Sequence, residues 1–293
     1  MKTIVKFTFL FSVVIILMAS CKPGAKQDKS SRGIIKSTDT VTISDTTKKN
    51  LPKNDYMTLA VLYQQKSGEW RALSYQAFTL ARLVLEKDLA DKNINQHRCV
   101  VVDIDETVLD NSPYQAECIL TQTAYNTQTW NNWCNRRKAL SLPGAAEFFH
   151  YVKANGVDVY YVTNRKEEVR EATLDNLKKA EFPFADDAHL LMPSGESSKE
   201  ARRLQIMQRN HISLLMGDNL NDFAQVFENK TPAERMQLVD KMYKEFGRKF
   251  IVLPNAMYGD WEGAIYNYDW SSNDTVKATQ RMQALEGINK IKE

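Results

Sequence analysis

The sequence predicts an α/β fold, a doubly wound parallel sheet with a smaller, mainly helical cap. Three observations carry this. Apolar runs over residues 99–104, 157–162, 212–216 and 250–253 alternate with segments of helical period, which implies right-handed βαβ units. Three of the runs close on polar residues: Asp103 and Asp105 after the first, Thr163, Asn164 and Arg165 after the second, Asp218, Asn219 and Asp222 after the third. The stretch 111–142 is too long for a simple connection and predicts a cap over the edge where those residues gather.

The elements follow in chain order. Lys2 and Lys6 precede an apolar run over 7–19 that ends in Leu17-Met18-Ala19-Ser20-Cys21. It falls short of the roughly 20 apolar residues of a spanning helix, so 1–20 reads as a signal peptide. Ala19 and Ser20 ahead of Cys21 resemble the lipobox of bacterial lipoproteins, which implies that Cys21 is lipidated and ties the mature chain to a membrane. Cleavage there lowers the net charge of +3 by two. Residues 21–52, rich in Ser, Thr and Lys and free of aromatic rings, read as a flexible tether, in which 40–43 is one alternating stretch.

The remaining domain, 53–293, starts with two helices. Leu59, Leu62 and Tyr63 share a face of the first; Trp70, Leu73, Ala77, Leu80, Ala81, Val84 and Leu85 recur at spacings of three and four in the second. Pro143-Gly144 opens a helix that stops at Asn155-Gly156, and further helices are expected over 167–180 and 198–210. With 39 basic and 36 acidic residues the composition excludes a strongly polarised binder of nucleic acid polymers. A hydrophobic content of 43% suffices for a substantial core and argues against wholesale disorder.

The chemistry lies in the carboxylates. In an open α/β sheet the ligand sits beyond the carboxyl ends of the strands, so Asp103, Asp105, Asp218 and Asp222 converge on one crevice. Gathered acids repel each other, and a divalent cation relieves the repulsion. Hard oxygen donors favour Mg²⁺, which takes octahedral coordination at about 2.0–2.1 Å. His97, His150, His189 and His211 show no ligand-like spacing, which disfavours zinc, and the sequence has neither a Gly-x-Ser-x-Gly elbow nor a glycine-rich nucleotide signature. Cys99 lies in a strand and reads as a small apolar residue, whereas Cys118 and Cys134 fall in the cap stretch at a spacing that leaves pairing open.

The run Val101-Val102-Asp103-Ile104-Asp105-Glu106-Thr107-Val108-Leu109-Asp110-Asn111 resembles the first motif of the haloacid dehalogenase superfamily. Met216-Gly217-Asp218-Asn219-Leu220-Asn221-Asp222-Phe223 resembles its fourth, in the Gly-Asp-Asn-Leu-x-Asp form of the class C, or four-aspartate, acid phosphatases. These are bacterial lipoproteins, similar to outer-membrane lipoprotein 5'-nucleotidases, and the likeness spans roughly residues 53–270.

The resemblance implies a Rossmann-type core and assigns roles. Asp103 would attack phosphorus, and Asp105 would act as general acid and then base, with its backbone carbonyl on Mg²⁺. Thr163 and Asn164 would hold phosphoryl oxygens and Lys199 would neutralise their charge. Asp218 would ligate the metal, and Asp222 would orient a metal-bound water or Lys199. Lys199 also opens a charged segment with Glu200, Arg202 and Arg203 that reads by itself as a solvated face. Glu106 and Asn111 read as shaping the turn after Asp105.

Trp130, Trp133 and Tyr125 in the cap, with Tyr258 and Trp261 after the last strand, could stack on a nucleobase or pack in the core. Trp130 and Tyr258 are the candidates for substrate contact, although Ala256 replaces the Pro usual in the motif that holds Tyr258. The expected activity is hydrolysis of small phosphate esters, nucleoside monophosphates above all, at the outer membrane and outside the cytoplasm. Capture of a phosphate ligand without catalysis, or transfer of the aspartyl-phosphate to an alcohol, would use the same crevice. A homodimer is compatible with the sequence.

Overall fold

The computed structural model describes residues 55–287; the signal peptide 1–20, Cys21 and the tether 21–52 lie outside the described residues. A 3-10 turn at Asp55–Met57 leads into α1 (Thr58–Lys66). Its buried side is not the expected one: Met57, Val61 and Gln64 face inward, and Leu59, Leu62 and Tyr63 are exposed. Met57 and Val61 join Ile119 and Met257 in a satellite cluster, so the apolar surface on offer to this helix lies on its other side.

Ser67 caps α2 (Gly68–Ala90) by accepting a hydrogen bond from the Trp70 N–H at 2.9 Å. Trp70, Ala77, Phe78, Ala81 and Leu85 form its buried stripe, while Leu73 and Leu80 at the margin stay exposed. In β1 (His97–Val102) successive residues serve opposite faces. Val100 and Val102 join the large core with Phe78, Ala81 and Leu85, whereas Cys99 and Val101 pack with Ile206, Phe223 and Phe250. Each fully buried Val or Leu contributes about 1.5–3 kcal/mol over an exposed one.

Between the short strands β2 (Leu109–Asp110) and β3 (Leu140–Ser141), which pair antiparallel, lie α3 (Ser112–Leu120) and α4 (Thr127–Arg136). The long stretch is thus a helical insertion on a two-stranded base. Gly144, at φ 87°, starts α5 (Ala145–Ala154); a Cβ there would come within 3.1 Å of the Tyr75 ring. Then follow β4 (Asp158–Val162), a 3-10 turn at Glu167–Val169, α6 (Arg170–Lys179), β5 (Leu190–Leu191) and α7 (Glu200–Met207). After β6 (Asn210–Gly217) come α8 (Pro232–Lys241), β7 (Phe250–Val252), α9 (Asp260–Ile265) and α10 (Asp274–Ala284). Helix α7 is shorter than expected because Asn210 already pairs with His97 in the sheet.

The strand order is β5-β4-β1-β6-β7, parallel throughout. From β1 the chain builds outward through β4 and β5, then crosses back to lay β6 on the other side of β1. This reversal places a crevice at the carboxyl ends of β1, β4 and β6, where the polar strand ends lie. No described helix is long and apolar enough to cross a membrane.

Candidate active site

Asp103 is the first residue beyond β1, and its N–H donates to the Met216 carbonyl at 3.0 Å, which ties it to β6. Asp218 follows β6 directly, and Asp222 ends the next 3-10 turn, Leu220–Asp222. The Asn219 N–H donates to Asp222 Oδ2 at 3.0 Å. One oxygen each of Asp103, Asp218 and Asp222 lies within 4.8 Å of the others. Thr107 Oγ1 donates toward both Asp103 Oδ2 (3.4 Å) and Asp218 Oδ1 (3.3 Å), and Asn255 Nδ2 donates to Asp218 Oδ2 at 2.8 Å.

Lys199, 6% exposed, reaches into this cluster. Its Nζ donates to Asp103 Oδ1 and, at 2.6 Å, to Asp222 Oδ1. Burial opposes its charge, but the two carboxylates outweigh burial and hold its pKa above the usual lysine value. Burial pushes Asp103 up to about 7 against the pull of Lys199, and Asp222 and Asp105 add to the rise. Asp218 rises as well, through burial and then through Asp222 and Asp103. One ammonium does not balance three carboxylates, and the all-oxygen donor set without histidine or cysteine fits a hard divalent cation such as Mg²⁺.

Asp105 stands apart from this trio. Its carboxylate accepts from Arg165 Nε and Nη2 and, at 2.8 Å, from Asn111 Nδ2. Its side chain is thus engaged by Arg165 and Asn111 and not by the trio. Arg165 holds a position the sequence reading left without a role. The signal was present, since it ends the Thr163-Asn164-Arg165 run beyond β4, but its partner lies 60 residues earlier.

Thr163 is buried at the end of β4, and its Oγ1 accepts from the Arg165 N–H at 3.1 Å. Asn164 is exposed, and its Oδ1 accepts from Arg202 Nη2 at 2.7 Å. The charged face of α7 is not solvated, contrary to the pattern of its sequence. Arg202 and Arg203 are buried, Arg202 donating to the Thr163 carbonyl and Arg203 to the carbonyls of Asn221 and Asp222. The two arginines stitch the strand-end loops together, which a pattern of charges along a helix cannot reveal.

In the cap, Trp130 meets Tyr114 edge-on at 5.1 Å and stands 5.7 Å from the Arg165 guanidinium. Trp133 Nε1 donates to Asn111 Oδ1 at 2.8 Å. Tyr125 is exposed beside Trp130, and Trp261 is exposed after β7. The Tyr258 hydroxyl donates to Glu106, which is fully buried at φ 56° and accepts the Asn111 N–H at 2.9 Å. Glu106 and Asn111 thus do shape the turn, and each also reaches another part of the site: Glu106 meets Tyr258, and Asn111 meets Asp105. Cys99, Cys118 and Cys134 are free and buried, and burial drives the Cys99 and Cys134 thiols up to about 12, so neither is a ready nucleophile.

Residues 24–261 match the family described as HAD superfamily, subfamily IIIB (Acid phosphatase). The chain belongs to this family. A class C acid phosphatase from Bacillus anthracis, solved with tungstate bound, superposes at a TM-score of 0.78 with 40% identity, covering 80% of this chain and 98% of that one. Among curated relatives, a stem 31 kDa glycoprotein of Glycine max is 23% identical over 198 residues, 66% of this chain and 72% of the relative. Acid phosphatase 1 of Solanum lycopersicum is 28% identical over 112 residues, 38% of this chain and 43% of the relative. As a member of subfamily IIIB with this structural likeness, the protein is an acid phosphatase, a phosphoric monoester hydrolase.

Proposed function

We propose that this acid phosphatase is Mg²⁺-dependent, acts on small phosphate monoesters with nucleoside monophosphates among them, and works outside the cytoplasm through an aspartyl-phosphate on Asp103. The observation that carries the reading is the convergence of Asp103, Asp218 and Asp222 within 4.8 Å, with the Lys199 ammonium held on two of them. The residues at Leu17-Met18-Ala19-Ser20-Cys21 support attachment through a lipidated Cys21. The aromatic rings of Trp130 and Tyr258 around the crevice support a flat base as part of the substrate.

In the first half-reaction an Asp103 carboxylate oxygen bonds to phosphorus while the bond to the leaving oxygen breaks, and the Asp105 carboxyl gives its proton to that oxygen, releasing the alcohol. In the second, a water oxygen bonds to phosphorus, Asp105 takes the water's proton, and the bond to Asp103 breaks to give inorganic phosphate. Lys199, with Thr163 and Asn164, offsets charge on the transferring oxygens, and the pre-set cluster keeps the cost of reorganisation low. Asp103, Asp218 and Asp222 would hold Mg²⁺, which would supply further charge neutralisation to the same group.

The test uses protein lacking residues 1–20, assayed with p-nitrophenyl phosphate and adenosine monophosphate. Activity should vanish in excess EDTA, return with Mg²⁺, and be lost in Asp103→Asn. Full activity of Asp103→Asn would sink the mechanism.

A further inference from the structure

Outside the carboxylate trio, the most enclosed ion pair among the described residues joins Asp105 to Arg165. The guanidinium side chain is 1% exposed. Its Nε lies 3.0 Å from Asp105 Oδ1 and 3.2 Å from Oδ2, and its Nη2 lies 2.8 Å from Oδ1. The rest of the fork is also engaged: Nη1 donates to Thr173 Oγ1 at 3.3 Å, and Nη2 approaches Asn111 Oδ1 at 3.4 Å. Asn111 closes the ring by donating to Asp105 Oδ1 while accepting from the Trp133 indole. The Trp130 ring stands by the guanidinium. Arg165 from β4's end and Asn111 from the turn after β2 therefore meet on one carboxylate, and α4 reaches them at one remove, through Trp133 on Asn111 and Trp130 beside the guanidinium.

We propose that Arg165 is a positioning residue for the phosphatase reaction: with Asn111, and through it Trp133 of the cap, it fixes the Asp105 carboxyl that exchanges protons with the leaving group and with water. The inference rests on the reading of Asp105 as the acid and base. A planar guanidinium bound at two nitrogens fixes both the direction and the plane of a carboxylate, which an ammonium does not. In the enzyme form whose Asp105 carries the proton, passing it to the leaving oxygen builds negative charge facing the guanidinium, so from that form the contact strengthens along the step and lowers its barrier. A leaving group that departs poorly without a proton depends most on this. An alkyl phosphate should therefore need Arg165 more than an aryl phosphate.

The experiment compares kcat/KM, which covers steps up to departure of the leaving group, for glycerol phosphate and p-nitrophenyl phosphate in wild type, Arg165→Lys, Arg165→Gln, Asp105→Asn and the double variant Asp105→Asn/Arg165→Gln. Thermal melts of the same proteins report folding. Proton transfer of this kind is worth about 10²–10⁴-fold. Arg165→Gln should lose at least about tenfold more on the alkyl than on the aryl ester, within that range. Arg165→Lys, which keeps the buried charge, should show the same bias to a smaller degree. In the Asp105→Asn background Arg165→Gln should add no further bias, because the arginine acts through Asp105. Equal losses on both esters in the folded Arg165→Lys variant, with Asp105→Asn still biased, would overturn the assignment of Arg165 alone. An Asp105→Asn variant without leaving-group bias would overturn the reading of Asp105 and this inference with it.

Discussion

Gly217 and Asp222 lie in such close contact that a Cβ on Gly217 would sit 2.3 Å from Asp222 Oδ2. No side chain fits there unless Asp222 moves. The glycine at the end of β6 therefore decides where the third carboxylate of the cluster stands, and with it one of the two oxygens that Lys199 holds. Gly217→Ala should displace Asp222, weaken Mg²⁺ binding and activity by about 10–100-fold, as losses of support around metal ligands do, and leave the sheet intact. A Mg²⁺ titration of activity checks this. An unchanged half-saturating Mg²⁺ concentration would show that Asp222 does not hold the ion.

The proposed nucleophile makes stability depend on pH in a definite direction. Burial places Asp103 at about 7, above its ordinary 3.8, so between those values the folded chain binds more protons than the unfolded one. The associated stability is complete below 3.8 and is lost as the pH rises through about 7. Mg²⁺ competes with that proton, and its stabilisation should grow over the same interval. Thermal melts with and without Mg²⁺ across this range should show a larger shift at neutral than at acid pH. The metal-free slope should flatten in Asp103→Asn. Equal Mg²⁺ shifts at both ends would mean that Asp103 is not a ligand.

Parts of this site were legible because position along the chain sufficed. An apolar run that stops at an acid marks a strand end, which located Asp103 and Asp218; Asp222 followed in the next turn. Lys199 was legible by its order in the motifs although the charges around it suggested a solvated helix. Arg165 was not, because its partner Asp105 follows β1 and meets it only once β4 lies beside β1. Helix α1 misled for a related reason: its richer apolar face, with Leu59, Leu62 and Tyr63, points outward, and periodicity does not say where the rest of the molecule lies. Strand β5, two residues long, is too short to leave a pattern.

At the other end of the strands, Asp88 of α2 binds Arg98 Nε, His211 Nε2 and Ser213 Oγ, each at 2.8 Å. Ser213 is the residue skipped where the pairing of β1 and β6 shifts register, so the irregularity is used to aim its hydroxyl at Asp88. Burial works against the Asp88 charge, but the bonds from Ser213, His211 and Arg98 prevail and hold its pKa below 3.8. The stability it supplies is present above 3.8 and is lost as the pH falls through its lower folded value. Asp88→Asn should cost about 1.5–3 kcal/mol, the usual worth of bonds to a charged group, with kcat unchanged at permissive temperature. Denaturant melts at neutral pH check the loss, and a parallel fall in kcat would show that this hub reaches the crevice.

The aromatic rim separates binding of a base from hydrolysis. Trp130 is half-buried between Tyr114 and the Arg165 guanidinium, and Tyr258 is half-buried with its hydroxyl spent on Glu106, so both rings are held in place before a substrate arrives. A preset ring gives stacking energy at little entropic cost, about 1–3 kcal/mol per base. Truncation to Ala should then lower kcat/KM for adenosine monophosphate by about 5- to 150-fold, the same energy expressed as a rate ratio. The loss on glycerol phosphate, which has no ring to stack, should be much smaller. Trp130→Phe and Tyr258→Phe should keep most of the nucleotide preference because each keeps a ring. An equal loss on both substrates in the Ala variants would assign these residues to holding the cap and Glu106 in place, and would remove the base from the proposed substrate.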